Sequence, residues 1–268
     1  MSVAVLLRDG RLQEAISAVT KAVQESPLDL RRRSVLWLLL RVAGEHERAE
    51  RQLAALPDEE PEAKLTNLLL RSVSSAEQQR SQVLRGDADI PCFGAPPPYL
   101  PHHAAGLRAL AAGELDAARQ AFATAESERP QRPAIVVDSG APSQVADLRD
   151  IDDRLGSFLE IFFQNSYYWI PIERLQFLEM PPVQSLFDRV YRTAQIGIDD
   201  QAHHVVIPAL YADSARQKDD RMRLGQMTSF QPGLGGLSVA FGQRILCSGE
   251  TEHSFLSLRS IAAPPQES

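Results

Sequence analysis

A chain of 268 residues, 44% of them hydrophobic, can bury one large core or two ordinary ones. Its net charge of −7 is spread evenly, with 16 basic against 18 acidic residues in 1–130 and 12 against 17 in 131–268, which excludes a general nucleic-acid binder. Cys92 and Cys247 have no CxxC partner and suggest neither a disulfide framework nor a cysteine zinc site, while the apolar runs at 3–7 and 35–40 are too short for a secretion signal or a membrane span, so a cytoplasmic protein is expected.

From the N-terminus, Gly10, Ala15, Ala22 and Pro27 fall at steps of five, seven and five residues. The same steps recur at Gly113, Ala118, Ala125 and Pro130. Gly44, Ala49, Leu56 and Pro61 keep them one 34-residue period after the first set, with one alanine enlarged to leucine. The spacing describes a helix hairpin. Glycine supplies left-handed backbone where the first helix ends, alanines seven apart let neighbouring helices approach, and proline stops the second helix. The pattern resembles the tetratricopeptide repeat. It is fullest in the last copy, where Gly106 and Ala109 precede Gly113 and Phe122 stands between Ala118 and Ala125. Trp37 takes the place that Gly106 holds there and should splay or repack the second pair. A further copy is expected at about 64–97, but only the helical periodicity of Leu65, Leu68, Leu69, Val73, Val83 and Leu84 survives, followed by a proline-rich stretch, 86–101, that cannot be helical.

Stacked helix pairs present their first helices as a concave row. With the first helix of the second pair at about 30–43, Arg31, Ser34, Leu38 and Arg41 line that side, and Leu65, Leu68 and His103 occupy comparable places. The expectation is a peptide-binding groove in which leucines grip an apolar helix face and arginines pair its acids. A plainer reading makes residues 31–33 a solvated face and Leu38 core.

From about Pro133 the period changes. Residues 133–138 read as a strand and 143–153 as a helix or acidic loop. Residues 158–163 and 167–172 form a β-hairpin around a polar turn at 164–166, and further strands are expected at 205–211, 236–241 and 244–247. The expected fold is α+β with two domains. A tetratricopeptide-like α-α superhelix covers 1–130, a small antiparallel sheet or barrel with short helices covers 131–262, and 263–268 is a flexible tail. Alternation in the hairpin puts Tyr168 and Ile170 on one face and Tyr167 and Trp169 on the other. One set is core, and the cluster Tyr167, Tyr168, Trp169 and Pro171 is a candidate interdomain or partner surface.

Catalytic chemistry finds little support. His102 and His103, like His203 and His204, are adjacent and diverge, which suits joint metal ligation poorly. Asp150, Asp152, Asp153, Asp199, Asp200, Asp219 and Asp220 are read as solvated loops or helix caps rather than paired carboxylates. The glycines 233, 235 and 236 lack the Lys and Ser or Thr of a phosphate loop and read as a turn. Cys247 reads as a small buried hydrophobe. No catalytic residue, metal or cofactor is therefore expected. The competing reading is an enzyme that acts on a small ligand through its C-terminal domain and uses the repeats as a docking arm.

Residues 151–160 (IDDRLGSFLE), 168–171 (YWIP), 207–211 (IPALY) and 223–225 (RLG), in this order after helical repeats, resemble the ImpE family, also called TagJ or SciE-type accessory proteins of bacterial type VI secretion. Residues 187–191 and 228–230 match its pattern less closely. The resemblance implies a helical N-terminal domain, a smaller mixed C-terminal one, and a cytoplasmic, non-enzymatic accessory role at the contractile sheath. It also implies binding of the small sheath subunit, TssB, through a short N-terminal helix, and through it an indirect link to the ClpV unfoldase, with no nucleic-acid or membrane partner.

Overall fold

The computed structural model describes residues 1–56, 61–231 and 234–264. Its N-terminal part is helical: α1 (Val3–Arg8), α2 (Leu12–Glu25), α3 (Leu30–Val42), α4 (His46–Ala54), α5 (Pro61–Leu84), α6 (Leu100–Ala111) and α7 (Leu115–Glu128). Gly44 and Gly113, at φ 80° and 78°, end α3 and α6. At both, the next N–H reaches back to a helix carbonyl, Glu45 to Leu40 and Glu114 to Ala109, which satisfies acceptors that a helix end leaves open. Ala15, Ala49 and Ala118 are fully buried where helices pack. Gly106 takes the Phe122 ring directly, since a Cβ there would lie 2.5 Å from Phe122 Cε1. Trp37 is fully buried with its ring 6.3 Å from that of Tyr191, so the larger side chain ties α3 to the C-terminal part.

The degenerate copy at about 64–97 keeps its helical periodicity but forms no helix pair. No glycine and no proline interrupts 62–85, and α5 runs as one helix of 24 residues. In the proline-rich stretch after it, residues 91–93 lie along a strand edge, and Leu100 and Pro101, expected to be non-helical, open α6, since proline is tolerated in a first helical turn. Trp169 N donates to Pro91 O at 2.8 Å and Phe93 N donates to Trp169 O at 2.9 Å. Pro91 needs only its carbonyl here, which is why an edge position suits it.

The C-terminal part contains β1 (Ala134–Val137), β2 (Ser143–Val145), β3 (Arg149–Asp150), β4 (Phe158–Phe163), β5 (Ser166–Pro171), β6 (Phe177–Glu179), β7 (Tyr191–Ile198) and β8 (Gln201–Pro208). It continues with β9 (Thr228–Phe230), β10 (Ala240–Gly242), β11 (Ile245–Ser248), β12 (Thr251–Ser254) and β13 (Ser260–Ala262), and two short helices, α8 (Leu186–Val190) and α9 (Asp220–Arg223), lie among these strands. The fold is thus α+β. The main sheet is antiparallel in the order β2-β1-β13-β6-β7-β8-β4-β5, with β2 and β5 as ends, so it is open rather than a closed barrel. Residues 143–153 hold two short strands where a helix or loop was expected, because β2 pairs with β1 and β3 with β11. The β4–β5 turn is two residues long, Gln164 and Asn165 at φ 47° and 67°, which leaves Ser166 in the strand. Asp199 and Asp200, at φ 49° and 60°, make the same kind of turn between β7 and β8.

Alternation along β4 and β5 divides two cores. Phe158, Phe162, Tyr167 and Trp169 join the core that contains the helices, whereas Leu159, Ile161 and Ile170 join a second core on the other sheet face. Ala263 N donates to Gln176 O beyond β13, and the rest of the expected tail, 265–268, and Gly233 lie outside the described residues.

Candidate functional site

The residues expected to line one concave groove are not on one surface. Leu38 is buried in core, Arg41 is buried with Glu77 at 3.9 Å, and His103 is buried between the rings of Phe122, Phe158 and Trp169 at 5.0, 5.2 and 5.3 Å. Sheet residues cover His103 and Leu38 lies within the core, so neither is open to a peptide, whereas Arg41 borders a separate cavity with Glu50 and Glu77. Ser34 Oγ donates to its own helix at Leu30 O, and Arg31 is exposed. Tyr167 and Trp169 turn to the helices and are fully buried. Tyr168 turns to the opposite face, where its ring meets Phe93 at 5.5 Å, and Pro171 is buried at the end of β5.

Beneath this interface runs a buried charge network that composition did not suggest. Glu160, in the middle of β4, accepts from Arg80 Nε at 2.8 Å and Nη2 at 2.9 Å, from Arg244 at 3.1 Å and from the Tyr167 hydroxyl at 2.5 Å. Burial opposes its charge, but Arg80 and Arg244 outweigh burial and hold the carboxyl down at about 2. Arg244 also donates to Asp150 at 2.6 Å, and Asp150 accepts from the Tyr211 hydroxyl at 2.8 Å. Complete burial raises the Asp150 carboxyl to about 6 despite that guanidinium. Asp152 is likewise fully buried and paired with Arg154 at 2.7 Å. Asp150 and Asp152 are therefore not the solvated loop that their sequence context suggested. The cationic partner of Asp150 arrives from the fold, while that of Asp152 is its near neighbour in sequence. A single glutamate inside the apolar run 158–163 was the available signal for Glu160.

Leu65 and Leu68 have a different fate. Both lie on α5 and are 70% and 60% exposed, although the neighbouring face of the same helix is buried through Leu70, Val73 and Ala76. They form one wall of a groove of about 1080 Å³. The β4–β5 turn also lines it, and its floor is the part of the helix-facing sheet surface that no helix covers among the described residues. Register explains that floor. Glu179 pairs with Gln195 and Gln195 with His204, while Thr193 pairs with Val206 and Val206 with Phe162, so all six share one face. The result is amphipathic, apolar beside α5 and polar across β6 and β7. A pair of exposed leucines over an open groove is the kind of surface that marks an interaction site.

The other candidates resolve into structure. His203 is half-buried against Phe93 and Phe163 while His204 faces the groove, and His102 meets Glu128 at 3.5 Å. Asp219 caps α9, Asp220 accepts from Leu12 N at 3.1 Å, and Gly235 and Gly236 sit in a turn. Burial raises the thiols of Cys92 and Cys247. Among the described residues, no group of three or more His, Cys, Asp or Glu is placed to hold a metal ion, and no helix is long and apolar enough to cross a membrane.

Residues 142–262 match a family model described as ImpE protein. The chain is 29% identical over 263 residues to the type VI secretion system accessory component TagJ of Pseudomonas aeruginosa, a match that covers 98% of this chain and 91% of that protein. It is also similar to the crystal structure of protein VPA1032 from Vibrio parahaemolyticus, with a TM-score of 0.87 over 99% of this chain and 98% of that one. At 24% identity this likeness shows a shared fold. With an ImpE match across its C-terminal part and a TagJ match along nearly its whole length, the chain is similar to the ImpE/TagJ family.

Proposed function

We propose that the protein is a non-enzymatic accessory component of a type VI secretion system that works in the cytoplasm. In this reading it holds a short helical segment of the small, TssB-like sheath subunit in the groove between α5 and the sheet. Through that contact it is linked to sheath assembly or to ClpV-dependent disassembly. The likeness to TagJ, itself named an accessory component of that system, supports the setting. The observation that carries the mode of binding is the exposure of Leu65 and Leu68 on the wall of an open groove of about 1080 Å³. A helix of ten residues, about 10 Å across and 15 Å long, fills on the order of 1200 Å³, which matches that space. Its apolar stripe would pack on Leu65, Leu68 and Phe162, with its polar side over Gln195 and His204.

The test is calorimetric titration of the full-length protein with a synthetic peptide of the cognate sheath subunit's N-terminal segment. Saturable binding is expected, weakened about tenfold or more by Leu68→Asp, because a carboxylate would be buried against the peptide's apolar face. No binding by the parent protein refutes the reading, and binding indifferent to Leu68→Asp refutes the groove as its seat.

A further inference from the structure

Along its length α5 serves two purposes. Its N-terminal half carries Leu65 and Leu68 as the groove wall, and its C-terminal half is tied to the β4–β5 hairpin. The ties form a ladder. Ser72 Oγ accepts from Asn165 N at 3.1 Å. Gln79 accepts from Tyr167 N at 3.2 Å and donates to Asn165 O at 3.1 Å. Arg80 places its guanidinium fork on Glu160 and donates to Leu210 O at 2.9 Å.

The acceptor of that fork is itself held from the sheet side. Arg244 and the Tyr167 hydroxyl both donate to Glu160, and Arg244 is anchored in turn on Asp150. Arg80 also meets Glu77 at 3.4 Å, and Glu77 meets Arg41, so three arginines stand against three carboxylates and the set is electrically balanced. A buried ion set of this kind contributes little net stability compared with apolar packing of the same volume, and in some folds its role is to fix one arrangement of its members. A bidentate fork adds directionality that a lysine ammonium does not have. Leu68 lies twelve residues from Arg80 on the same helix, about 18 Å along the axis, so any roll of α5 at Arg80 is carried to the groove wall.

We infer that Arg80 is a positioning residue for the groove: its two-point contact with Glu160 fixes the roll of α5 and so sets Leu65 and Leu68 at their distance from the sheet floor. The consequence for partner binding rests on the groove reading above, whereas the effect on groove geometry does not.

The experiment therefore begins without a partner. Full-length protein with Cys92→Ser and Cys247→Ser carries spin labels at Leu68→Cys and Gln195→Cys, and the distance distribution across the groove is measured by pulsed electron resonance. A single narrow distribution is expected, and Arg80→Lys, which keeps the charge and loses the fork, should shift or broaden it while thermal unfolding stays cooperative. Tyr167→Phe removes one donor to Glu160 without touching a guanidinium and should move the distribution the same way, to a lesser degree. It also decides the matter if Arg80→Lys does not fold. An unchanged distribution in whichever variants fold overturns the inference. Unlabelled Arg80→Lys should then bind the sheath-subunit peptide about tenfold more weakly. A shifted distribution with unchanged affinity upholds the positioning role and removes the groove as the peptide's seat.

Discussion

A His103→Gln variant should lose less stability than the parent protein when the pH falls from neutrality into the acid range. The His103 imidazole is buried among three aromatic rings, with its Nε2 2.7 Å from Arg154 O, an arrangement that suits a neutral ring donating to a carbonyl. Burial holds its pKa down at about 4, against an ordinary value of 6.5. The unfolded chain accepts a proton as the pH drops through its ordinary value, and the folded chain resists doing so until the lower one. The stability tied to the neutral ring is thus fully present above the unfolded value and is lost progressively as the pH falls toward the folded one. Between about pH 7.5 and about pH 5 that loss comes to about 2 kcal/mol, from about 1.36 kcal/mol per pKa unit over roughly one and a half units. Asp150 acts in the opposite sense over much of this range, since its raised carboxyl gains a proton on the folded protein first. The total pH profile mixes the two. The quantity to read is the difference between parent and variant, from urea unfolding followed by the fluorescence of the buried Trp37 and Trp169. A parent-minus-variant difference that stays constant between the two pH values would refute the assignment of a neutral, buried His103.

Two further substitutions probe the helix packing. Gly106→Ala places a methyl 2.5 Å from the Phe122 ring and should cost about 1–3 kcal/mol in urea unfolding, the usual effect of overpacking a filled contact. A neutral result there would mean that α6 and α7 are not held this closely. Trp37→Ala should cost about 3–5 kcal/mol by the same measurement, because a fully buried ring that also meets Tyr191 leaves a cavity.

The helix hairpins were legible because their signals are local: Gly44 and Gly113 end helices by backbone conformation, and Ala49 and Ala118 mark close contacts whatever surrounds them. The β4–β5 hairpin was legible for the same reason, with its turn misjudged by one residue because Gln164 and Asn165 both adopt left-handed backbone. What occupies the concave row was not legible. Leu38, Arg41 and His103 carry helical spacing alone, and nothing in that spacing says whether a partner or the chain's own sheet covers them. Strand β7 escaped because its groove face carries the polar Thr193 and Gln195, and β6, β12 and β13 escaped because they are three or four residues each. Asp150 looked like a loop carboxylate since Arg244 and Tyr211 come to it only through tertiary structure, whereas the partner of Asp152, Arg154, stands two residues away and its burial is what the sequence did not show. Leu65 and Leu68 were visible as helix-face leucines, but the opposing wall of their groove is sheet, whose register no helical period reveals.

Site-specific photo-crosslinking addresses the central claim most directly. A photoreactive residue is placed at Leu68 or Gln195 of the full-length protein, or at Leu28, which is 80% exposed and does not line the groove. The sheath-subunit peptide is then added at a saturating concentration. Capture at Leu68 and at Gln195, with none at Leu28, is the predicted result. Peptide that binds but is captured equally at Leu28, or at neither groove position, would contradict the account.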